Sequence, residues 1–526
     1  MIERQRGTAV VYKGGSRALV PLGKRQARGK ESMGNADSME RPANAKRVKA
    51  CHAALASAKV RCKRQLSAAE KTAVDSGLKV SGNAFRKRVV IVIDQDCFYA
   101  QVLLQQPRNR MYQGSPFGVT QKYLVVTCNY AARHYGVGKL MRIEEAKRLC
   151  PNIVLQAGED LTLFRDASRR IFEATKAFFV GFTRRVLLGS EGGGDGSSSE
   201  SDTGEETPQL DTLLPQIEKS GLDEMYIDCT ALCSYMLERH GVDLVAATKR
   251  SATVHILEQN THLARNSAYQ DGLLLCATEI AADARRHISS KAGFESCAGV
   301  SCNKLVSKLA VNMHKPNQQS TVLTSAIVPL MLDLPVGYLC GVGRKIVRQL
   351  ETGLKILYVR DALRADCTLF DLQETFGERV GRFLFLAFRG IDESPVVDHS
   401  APKSIGVEDS MLGVRSVEAV YDYLRLMARD LFRRLVSDAV QHGRRPATLV
   451  LKVRHTRRKC TSKQAHLPVH LASPEDVFKV SKLLLQSAVN LSAPFSLTLI
   501  GISCNSFVIA HNESVGKGGP RHPKTM

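Results

Sequence analysis

The chain has 526 residues, of which 44% are hydrophobic, and its 74 Lys and Arg side chains outnumber 51 acidic ones to give a formal charge of +23. This length exceeds one ordinary hydrophobic core, so the sequence predicts several domains. The basic excess favours nucleic acid over a membrane surface as partner. No apolar run approaches the roughly 18 residues of a membrane span, so we expect no membrane contact.

The first 88 residues hold most of the excess charge. They carry 21 basic and 6 acidic side chains, which is +15 and leaves +8 for the rest of the chain. Few aromatic residues and many Gly, Ser and Ala predict a mostly disordered basic arm over residues 1–87. Its basic runs fit nuclear import or loose DNA contacts, with mitochondrial targeting as the alternative. Fourteen cysteines without CxxC pairs favour reduced thiols.

An apolar, β-branched run at residues 89–93 ends in Asp94, Gln95 and Asp96. The run predicts a buried central strand. Because side chains alternate along a strand, Asp94 and Asp96 leave one face, and the carbonyl of Gln95 can turn toward the same ion. This pattern suits a divalent metal site. Acidic turn chemistry at an ordinary strand end is the alternative.

The next elements lead from this strand to a second acidic stretch. A helix is expected at residues 101–106, then a polar loop to Pro116, a pair of strands within 118–126, a helix at 144–150 that Pro151 ends, and an amphipathic helix at 161–180. Residues 189–208 are rich in Gly and Ser and hold six acids without Lys or Arg, which indicates a flexible insertion.

The second acidic stretch is Asp223 and Glu224, which precede the short apolar run 225–227. Together with Asp94 they supply three carboxylates, enough for the two-metal clamp that stabilises phosphoryl transfer. A helix-rich segment is expected from there to about Ile288.

The C-terminal half is predicted to hold a glycine-containing hairpin and a further α+β domain. Gly341 and Gly343 lie in a GxG stretch before a helix, where backbone N–H groups can approach a phosphate. Beyond about residue 403 we expect a helix at 418–438, a strand at 447–454, a helix at 474–489 and a last strand at 495–502. Residues 444–463 contain eight basic side chains and no acid, which favours phosphate contact over a solvent-exposed face.

Several of these stretches resemble the Y family of translesion DNA polymerases. They are residues 89–100, 123–133, 221–228, 297–310 and 315–319, and the resemblance covers roughly residues 88–509. It implies an α+β, right-hand fold with a ferredoxin-like palm, small fingers, a helical thumb with a helix-hairpin-helix, and a βαββαβ little finger. The implied bounds are palm 88–115 and 147–318 with the insertion at 189–209, fingers 116–146, thumb 319–396, linker 397–402, little finger 403–510 and tail 511–526.

The resemblance also implies roles for individual residues. Asp94, Asp223, Glu224 and the Gln95 carbonyl would hold Mg²⁺, with Mn²⁺ as a substitute, and Glu224 would assist deprotonation of the primer hydroxyl. The nucleotide would be bound by Phe98, Tyr99, Thr127, Tyr130, Arg133 and Lys315, and the template base by Gln121 and Lys122. DNA would be bound by Gly341, Gly343, Arg344, Lys345, Arg454, Arg457, Arg458 and Lys459. The Glu usual in the family between Tyr130 and Arg133 is Ala131 here.

The implied activity is error-prone, template-directed addition of deoxynucleotides to a primer 3′ end, opposite damaged or mispaired bases. The partners would be primer–template DNA, deoxynucleoside triphosphates and a sliding clamp or other translesion factors. The protein itself would be a monomer in the nucleus. Residues 118–130 most resemble one branch of the family, in which narrow fingers turn a templating purine to its Hoogsteen edge. The alternatives are a more general Y-family polymerase, a nucleotidyl cyclase with a similar palm, and a non-catalytic DNA-binding scaffold.

Overall fold

The computed structural model describes residues 88–188, 209–240, 253–258, 268–363, 367–398, 401–456, 460–468 and 471–509. The predicted arm 1–87, the insertion up to residue 208, the tail and the three basic residues Arg457, Arg458 and Lys459 lie outside them. In the described part of the chain, no helix is long and apolar enough to cross a membrane.

The described residues form strands and helices in roughly alternating order. The strands are β1 (Val90–Gln95), β2 (Phe117–Gln121), β3 (Leu124–Cys128), β4 (Met141–Arg142), β5 (Val154–Ala157), β6 (Gln216–Ser220), β7 (Glu224–Asp228), β8 (Val254–Leu257), β9 (Ser296–Ser301), β10 (Gln319–Val322), β11 (Ile405–Val414), β12 (Arg444–His455), β13 (Cys460–His466) and β14 (Leu497–Ile509).

The helices connect these strands and also form a separate helical region. They are α1 (Phe98–Leu104), α2 (Tyr130–His134), α3 (Ile143–Leu149), α4 (Thr162–Leu188), α5 (Leu210–Leu213), α6 (Thr230–His240), α7 (Ala268–Ala292), α8 (Lys304–Val311), α9 (Ile327–Leu332), α10 (Arg344–Gly353), α11 (Val359–Ala362), α12 (Leu369–Phe376), α13 (Glu378–Ala387), α14 (Val417–His442) and α15 (Pro474–Ala488). The predicted mixed α and β fold is confirmed.

The central sheet has strand order β6-β7-β1-β9-β10-β8. Among β6, β7, β1 and β9 each strand is antiparallel to its neighbour, whereas β10 runs parallel to both β9 and β8. Helix α4 lies in the chain between β1 and β6, and α7 lies between β7 and β9. These four strands and two helices therefore follow a β-α-β-β-α-β order, with β1 in the interior of the sheet.

The two faces of β1 are buried against different helices. Ile91 and Ile93 belong to the large core under α4, α6 and α7. Val90 and Val92 face the other way and pack with Val311 of α8. A strand buried on both faces must be apolar throughout, which is why β1 is a continuous β-branched run. Asp94, two residues beyond Val92, leaves the face on which α8 lies.

Two further units surround this sheet. The sheet β4-β3-β2-β5 encloses a small core around Val125 and Cys128. The C-terminal sheet has order β11-β14-β12-β13, with α14 and α15 packed on it over one shared core. Its chain order is β-α-β-β-α-β. Gly443 adopts the left-handed conformation that ends α14 just before β12 begins.

Helices α9 to α13 pack around a separate core, which includes Leu330, Leu350 and Phe388. Capping hydrogen bonds set the start of α12, where Thr368 accepts from Asp371 N and the Asp371 side chain accepts from Thr368 N. Gly341 turns the chain ahead of α10 with φ +89°, a conformation that favours glycine.

Several predicted boundaries are wrong. The helix after the first strand spans Phe98–Leu104 rather than residues 101–106, and Pro107–Tyr112 is a 3₁₀ helix where a loop was expected. The helix-rich segment contains the strand Val254–Leu257. The last strand continues to Ile509 because it pairs along the full length of β12.

Candidate active site

Two neighbouring strands deliver the predicted acids to one place. In the antiparallel pairing of β1 with β7, Asp94 lies directly opposite Glu224. Their side chains are 13% and 15% exposed, so both carboxylates are largely withdrawn from water. Side chains directly opposite each other in a sheet are within reach of one another. The sheet register thus creates the acidic pair.

Helix α8 places a lysine between these two acids. Lys308 Nζ donates to Asp94 Oδ2 at 2.8 Å and also contacts Glu224 Oε2. The helix can reach this far because Gly299 of β9 has no side chain beneath it. An added Cβ there would lie 2.1 Å from the carbonyl oxygen of Ser307. Ser307 Oγ donates to the carbonyl of Val90 at 2.8 Å and fixes the helix on the strand.

A second lysine completes the charge balance of Asp94. Lys315 Nζ contacts Asp94 Oδ1, so each oxygen of this carboxylate faces an ammonium group. Burial raises the pKa of Asp94, but Lys315 and then Lys308 lower it, and the net pKa is below the ordinary value. Burial lowers the pKa of Lys308, but Asp94 and Glu224 together raise it by more, so its net pKa is above the ordinary value. Both groups are charged at neutral pH.

Asp223 lies beside this pair and forms no ion pair with another described residue. Its backbone carbonyl accepts from Gln95 N at 2.8 Å, which joins the two acidic stretches. Burial, followed by the negative charge of Asp94, raises the pKa of Asp223 by more than Lys139 lowers it. Oε1 of Glu224 is buried and accepts no hydrogen bond. Uncompensated negative charge therefore remains at this end of the sheet, and it suits a cation.

The carboxylates are not drawn into one metal-binding cluster. Within the described ranges, no group of three His, Cys, Asp or Glu side chains converges in an arrangement that could hold a metal ion. Lys308 and Lys315 lie against the carboxylate oxygens instead. Binding of a cation by Asp94 therefore requires Lys315 to leave Oδ1.

Asp96 has a different environment from Asp94. It is 4% exposed and accepts hydrogen bonds from Tyr130 Oη at 3.2 Å, Cys297 Sγ at 3.2 Å and Asn317 N at 2.7 Å. A carboxylate with this many donors is already satisfied. Asp96 therefore links α2, β9 and the turn after Lys315 rather than facing the site.

The two predicted aromatic nucleotide contacts are placed differently. Phe98 is 2% exposed and packs with Phe164 and Phe294 in the large core. The ring of Tyr99 is partly exposed, with its centroid 4.5 Å from that of Phe164. Burial, followed by the nearby Asp223, raises the pKa of Tyr99. Tyr99 thus borders the acidic site, and Phe98 supports it from within.

Tyr130 and Arg133 form a pair on α2. The Arg133 guanidinium lies 4.5 Å from the centroid of the Tyr130 ring, and its Nε donates to the carbonyl of Cys128 at 3.3 Å. Asn129 caps this helix by accepting from Ala132 N. Thr127, at the end of β3, is 6% exposed. Of this group, Tyr130 contacts the segment that directly follows β1, through its hydrogen bond to Asp96.

The predicted template contacts have partners within the protein. Gln121 Nε2 donates to the carbonyl of Gly158 at 2.9 Å. Lys122 has φ +55°, its backbone N–H donates to Glu159 Oε1 at 2.9 Å, and its Nζ pairs with Asp409 of β11. The β2–β3 turn therefore contacts the C-terminal sheet directly.

The predicted DNA contacts lie outside the acidic site. Gly343 precedes α10 without a side-chain cap, and the helix opens with Arg344 and Lys345. Arg454, near the end of β12, donates through Nε to Thr498 Oγ1 at 3.0 Å. Arg457, Arg458 and Lys459 follow this strand outside the described residues.

Two family models match the chain, one over the region of the central sheet and one over the C-terminal unit. The impB/mucB/samB family model matches residues 93–184 and 209–312, and its C-terminal domain model matches residues 402–516. The chain belongs to the Y family of DNA polymerases. The resemblance predicted from the stretches around Asp94, Tyr130 and Glu224 is therefore confirmed.

Individual relatives in the Y family support the same assignment. DNA polymerase iota of Homo sapiens is 31% identical over 436 residues, which cover 80% of this chain and 52% of the human protein. For DNA polymerase iota of Mus musculus the identity is 30%, with coverage of 80% and 54%. DNA polymerase eta of Arabidopsis thaliana is 28% identical over 409 residues, 72% of this chain and 55% of that protein. The chain thus spans about half the length of these relatives.

Sequence reasoning missed Lys308 as a site residue. It occurs in the stretch 297–310 that carries the Y-family resemblance, four residues after Lys304, and was assigned only to an apolar helix. A lysine on the polar edge of that helix, next to a glycine in the facing strand, was the available signal.

Proposed function

We propose that the chain is an error-prone, template-directed DNA polymerase that adds deoxynucleotides to a primer 3′ end opposite damaged or mispaired bases. The observation that carries the proposal is the pairing of Asp94 with Glu224 across two central strands, with Lys308 and Lys315 at their oxygens. Phosphoryl transfer depends on such charged groups held rigidly around the reacting phosphate.

Once Lys315 has left Asp94, the oxygen donors of the acidic site would fit Mg²⁺, or Mn²⁺ in its place. The site offers hard oxygen ligands from Asp94, Asp223, Glu224 and the Gln95 carbonyl. Oε1 of Glu224 is buried without a hydrogen-bond donor, and a bound cation would satisfy it. Bound Mg²⁺ would supply charge stabilisation of the attacking and leaving oxygens. Glu224, half of whose carboxylate remains free of the lysine, is the acid best placed to accept the proton of the primer hydroxyl.

The nucleotide would lie between the acidic site and α2. Lys315 and Arg133 offer cationic donors for the triphosphate, and Tyr130 and Thr127 offer hydroxyl groups. Tyr99 would lie under the deoxyribose, where its ring would exclude a 2′-hydroxyl group. Phe98 would act by supporting Tyr99 from the core, in keeping with its burial.

The structural units would act as the parts of a right hand. The central sheet would be the palm, the sheet around β2 and β3 the fingers, α9 to α13 the thumb, and the C-terminal unit the little finger. Phosphates would be bound at Gly341, Gly343, Arg344 and Lys345, and along the basic run that includes Arg454, Arg457, Arg458 and Lys459. A monomer in the nucleus is proposed, with a mitochondrial location as the alternative and a sliding clamp or another translesion factor as partner.

Similarity to DNA polymerase iota supports a finer proposal about accuracy. Gln121 and Lys122 would lie beside the template base, where narrow fingers would turn a templating purine to its Hoogsteen edge. Their contacts with Gly158 and Asp409 hold the β2–β3 turn in place, which favours a narrow space over an adaptable one. Insertion opposite template A would then be fairly accurate, and G would be inserted opposite template T at least as readily as A.

Primer extension separates these proposals. Template-dependent extension in Mg²⁺ would support a polymerase, whereas tight DNA binding without extension would favour a non-catalytic scaffold. A nucleotidyl cyclase would convert the triphosphate without a primer. Single-nucleotide insertion on four templates then tests the finer proposal. Equal error rates opposite A and T would leave a more general Y-family enzyme, of the eta or kappa type.

A further inference from the structure

Arg285 of α7 is a buried guanidinium whose hydrogen bonds to other described residues go to neutral oxygen atoms. Burial lowers its pKa, although Asp96 and Glu295 lie near enough to raise it in part. The residue is 9% exposed. Its Nε donates to the carbonyl of Ser296 at 2.8 Å, and its two terminal nitrogens donate to Gln319 Oε1 at 3.3 Å and Asn317 Oδ1 at 2.6 Å. Burying a permanently charged group without a carboxylate partner is costly. A buried arginine of this kind is therefore expected to have a role besides packing.

Asn317 connects this cation to an anion. Its side chain accepts from Arg285, while its backbone N–H donates to Asp96 Oδ2 at 2.7 Å. Asn317 has φ +49°, a left-handed conformation that asparagine tolerates better than most residues. The turn after Lys315 is thus held from both sides, by Arg285 on one and Asp96 on the other.

Asp96 extends the connection to α2, because it also accepts from Tyr130 Oη at 3.2 Å. The chain of hydrogen bonds therefore runs from Arg285 through Asn317 and Asp96 to Tyr130. Lys315 lies two residues before Asn317. The network thus ends at Tyr130 on one side and fixes, at Asn317, the turn that carries Lys315; the proposed function gives the triphosphate to both Tyr130 and Lys315.

We infer that Arg285 is a positioning residue for the incoming nucleotide, which acts through Asn317 and Asp96 to align Lys315 with Tyr130. The inference rests on the proposed polymerase function. Arg285 lies behind the turn, contacts neither Lys315 nor the acidic pair in its hydrogen bonds, and has no direct role in metal binding. Its loss should weaken nucleotide binding more than it slows the chemical step.

The Arg285→Met variant removes the charge and keeps much of the side-chain volume. We expect KM for the deoxynucleotide to rise about tenfold with kcat within about threefold, the change that loss of one charge-assisted hydrogen bond can produce. Arg285→Lys, which retains the cation, should recover part of that loss. Primer–template affinity should stay within about twofold, because phosphate contacts elsewhere dominate it.

Asn317→Gly provides a second variant that does not disturb the core. Asn317 is exposed, glycine accepts its positive φ, and the backbone N–H to Asp96 remains while the contact with Arg285 is lost. The same rise in KM, about threefold to tenfold, is expected. This variant decides the question if Arg285→Met fails to fold.

Arg389→Met is the matched control. Its guanidinium is also largely buried and lies 3.6 Å from the centroid of an aromatic ring, that of Phe385, but in the helical region far along the chain from Asn317. The Arg389→Met variant should have a changed Tm but the same KM for the deoxynucleotide as wild type. If wild type extends primers while Arg285→Met and Asn317→Gly keep the wild-type KM, Arg285 is only structural and the inference is overturned. If wild type itself does not extend primers, the proposed function fails instead.

Discussion

Replacing Gly299 with Ala tests whether the close approach of α8 to β9 sets the geometry of the acidic site. The new Cβ would lie 2.1 Å from Ser307 O, 2.4 Å from Val311 N and 2.9 Å from Val311 Cα. All three are backbone atoms, so no side chain can rotate to relieve the contact. Because ordinary contact begins near 3.4 Å, the helix has to move by about 1.3 Å from the strand.

This movement carries the two site lysines with it. Lys308 is part of α8, and Lys315 follows its end by four residues. A misplacement of about 1 Å in a catalytic arrangement can lower the rate about 100-fold. Overpacking itself should destabilise the fold by roughly 1–3 kcal/mol, which a protein of this size can survive. We therefore expect a folded Gly299→Ala protein with single-nucleotide insertion efficiency, kcat/KM, lowered about 100-fold.

Gly353→Ala is the control for this prediction. Gly353 ends α10, and an added Cβ there meets no atom within 4 Å, so its insertion efficiency should equal that of wild type. Circular dichroism and Tm measured alongside the kinetics separate loss of fold from loss of geometry. A folded Gly299→Ala protein with insertion efficiency within twofold of wild type would refute the reasoning.

Three further predictions concern single features. In the absence of Mg²⁺, Asp223→Asn should raise Tm at pH 7 by roughly 2–4 °C, because burial, followed by Asp94, raises the pKa of Asp223 and its ionised form destabilises the fold. Because the pKa of Asp223 is higher in the folded than in the unfolded state, the destabilisation by its ionised form grows as the pH rises above the ordinary carboxyl pKa. The increase in Tm of the variant should therefore become smaller on acidification, and a variant with a lower Tm than wild type at pH 7 would contradict the prediction. Tyr99→Ala should raise ribonucleotide relative to deoxynucleotide incorporation at least about tenfold in competitive insertion, and an unchanged ratio would assign the ring to packing alone. Neutralising Arg457, Arg458 and Lys459 should reduce the salt dependence of primer–template binding by roughly 0.9 in slope for each lost phosphate contact. If the salt dependence is unchanged, these three side chains face solvent and do not contact phosphate.

The acids could be predicted from the sequence because their signals are local. Asp94 ends a β-branched run, and Glu224 begins another, so both were expected at strand ends. The pairing that sets them opposite each other follows once both runs enter one sheet. The same holds for α15, whose start at Pro474 is marked by the capping residues Ser473 and Asp476.

The contacts that complete the site could not be predicted, because they join distant parts of the chain. Lys308 lies 214 residues from Asp94, and Lys122 lies 287 residues from Asp409. The residues next to Lys122 do not distinguish it from a solvent-exposed lysine, and the one signal for Lys308 is Gly299 in the facing strand. The start of α1 was also missed, because Cys97 adopts φ +47° and turns the chain into a helix directly after the acids. No propensity rule anticipates a left-handed cysteine.

The central claim is that the acids at the ends of β1 and β7 catalyse template-directed nucleotide addition. The most direct test is single-turnover primer extension in Mg²⁺ by wild type and by Asp94→Ala, with duplex binding measured in parallel. The account predicts extension by wild type, none by the variant, and duplex affinities within a few-fold of each other, because phosphate contacts elsewhere dominate binding. Extension by Asp94→Ala at a rate near that of wild type would contradict it.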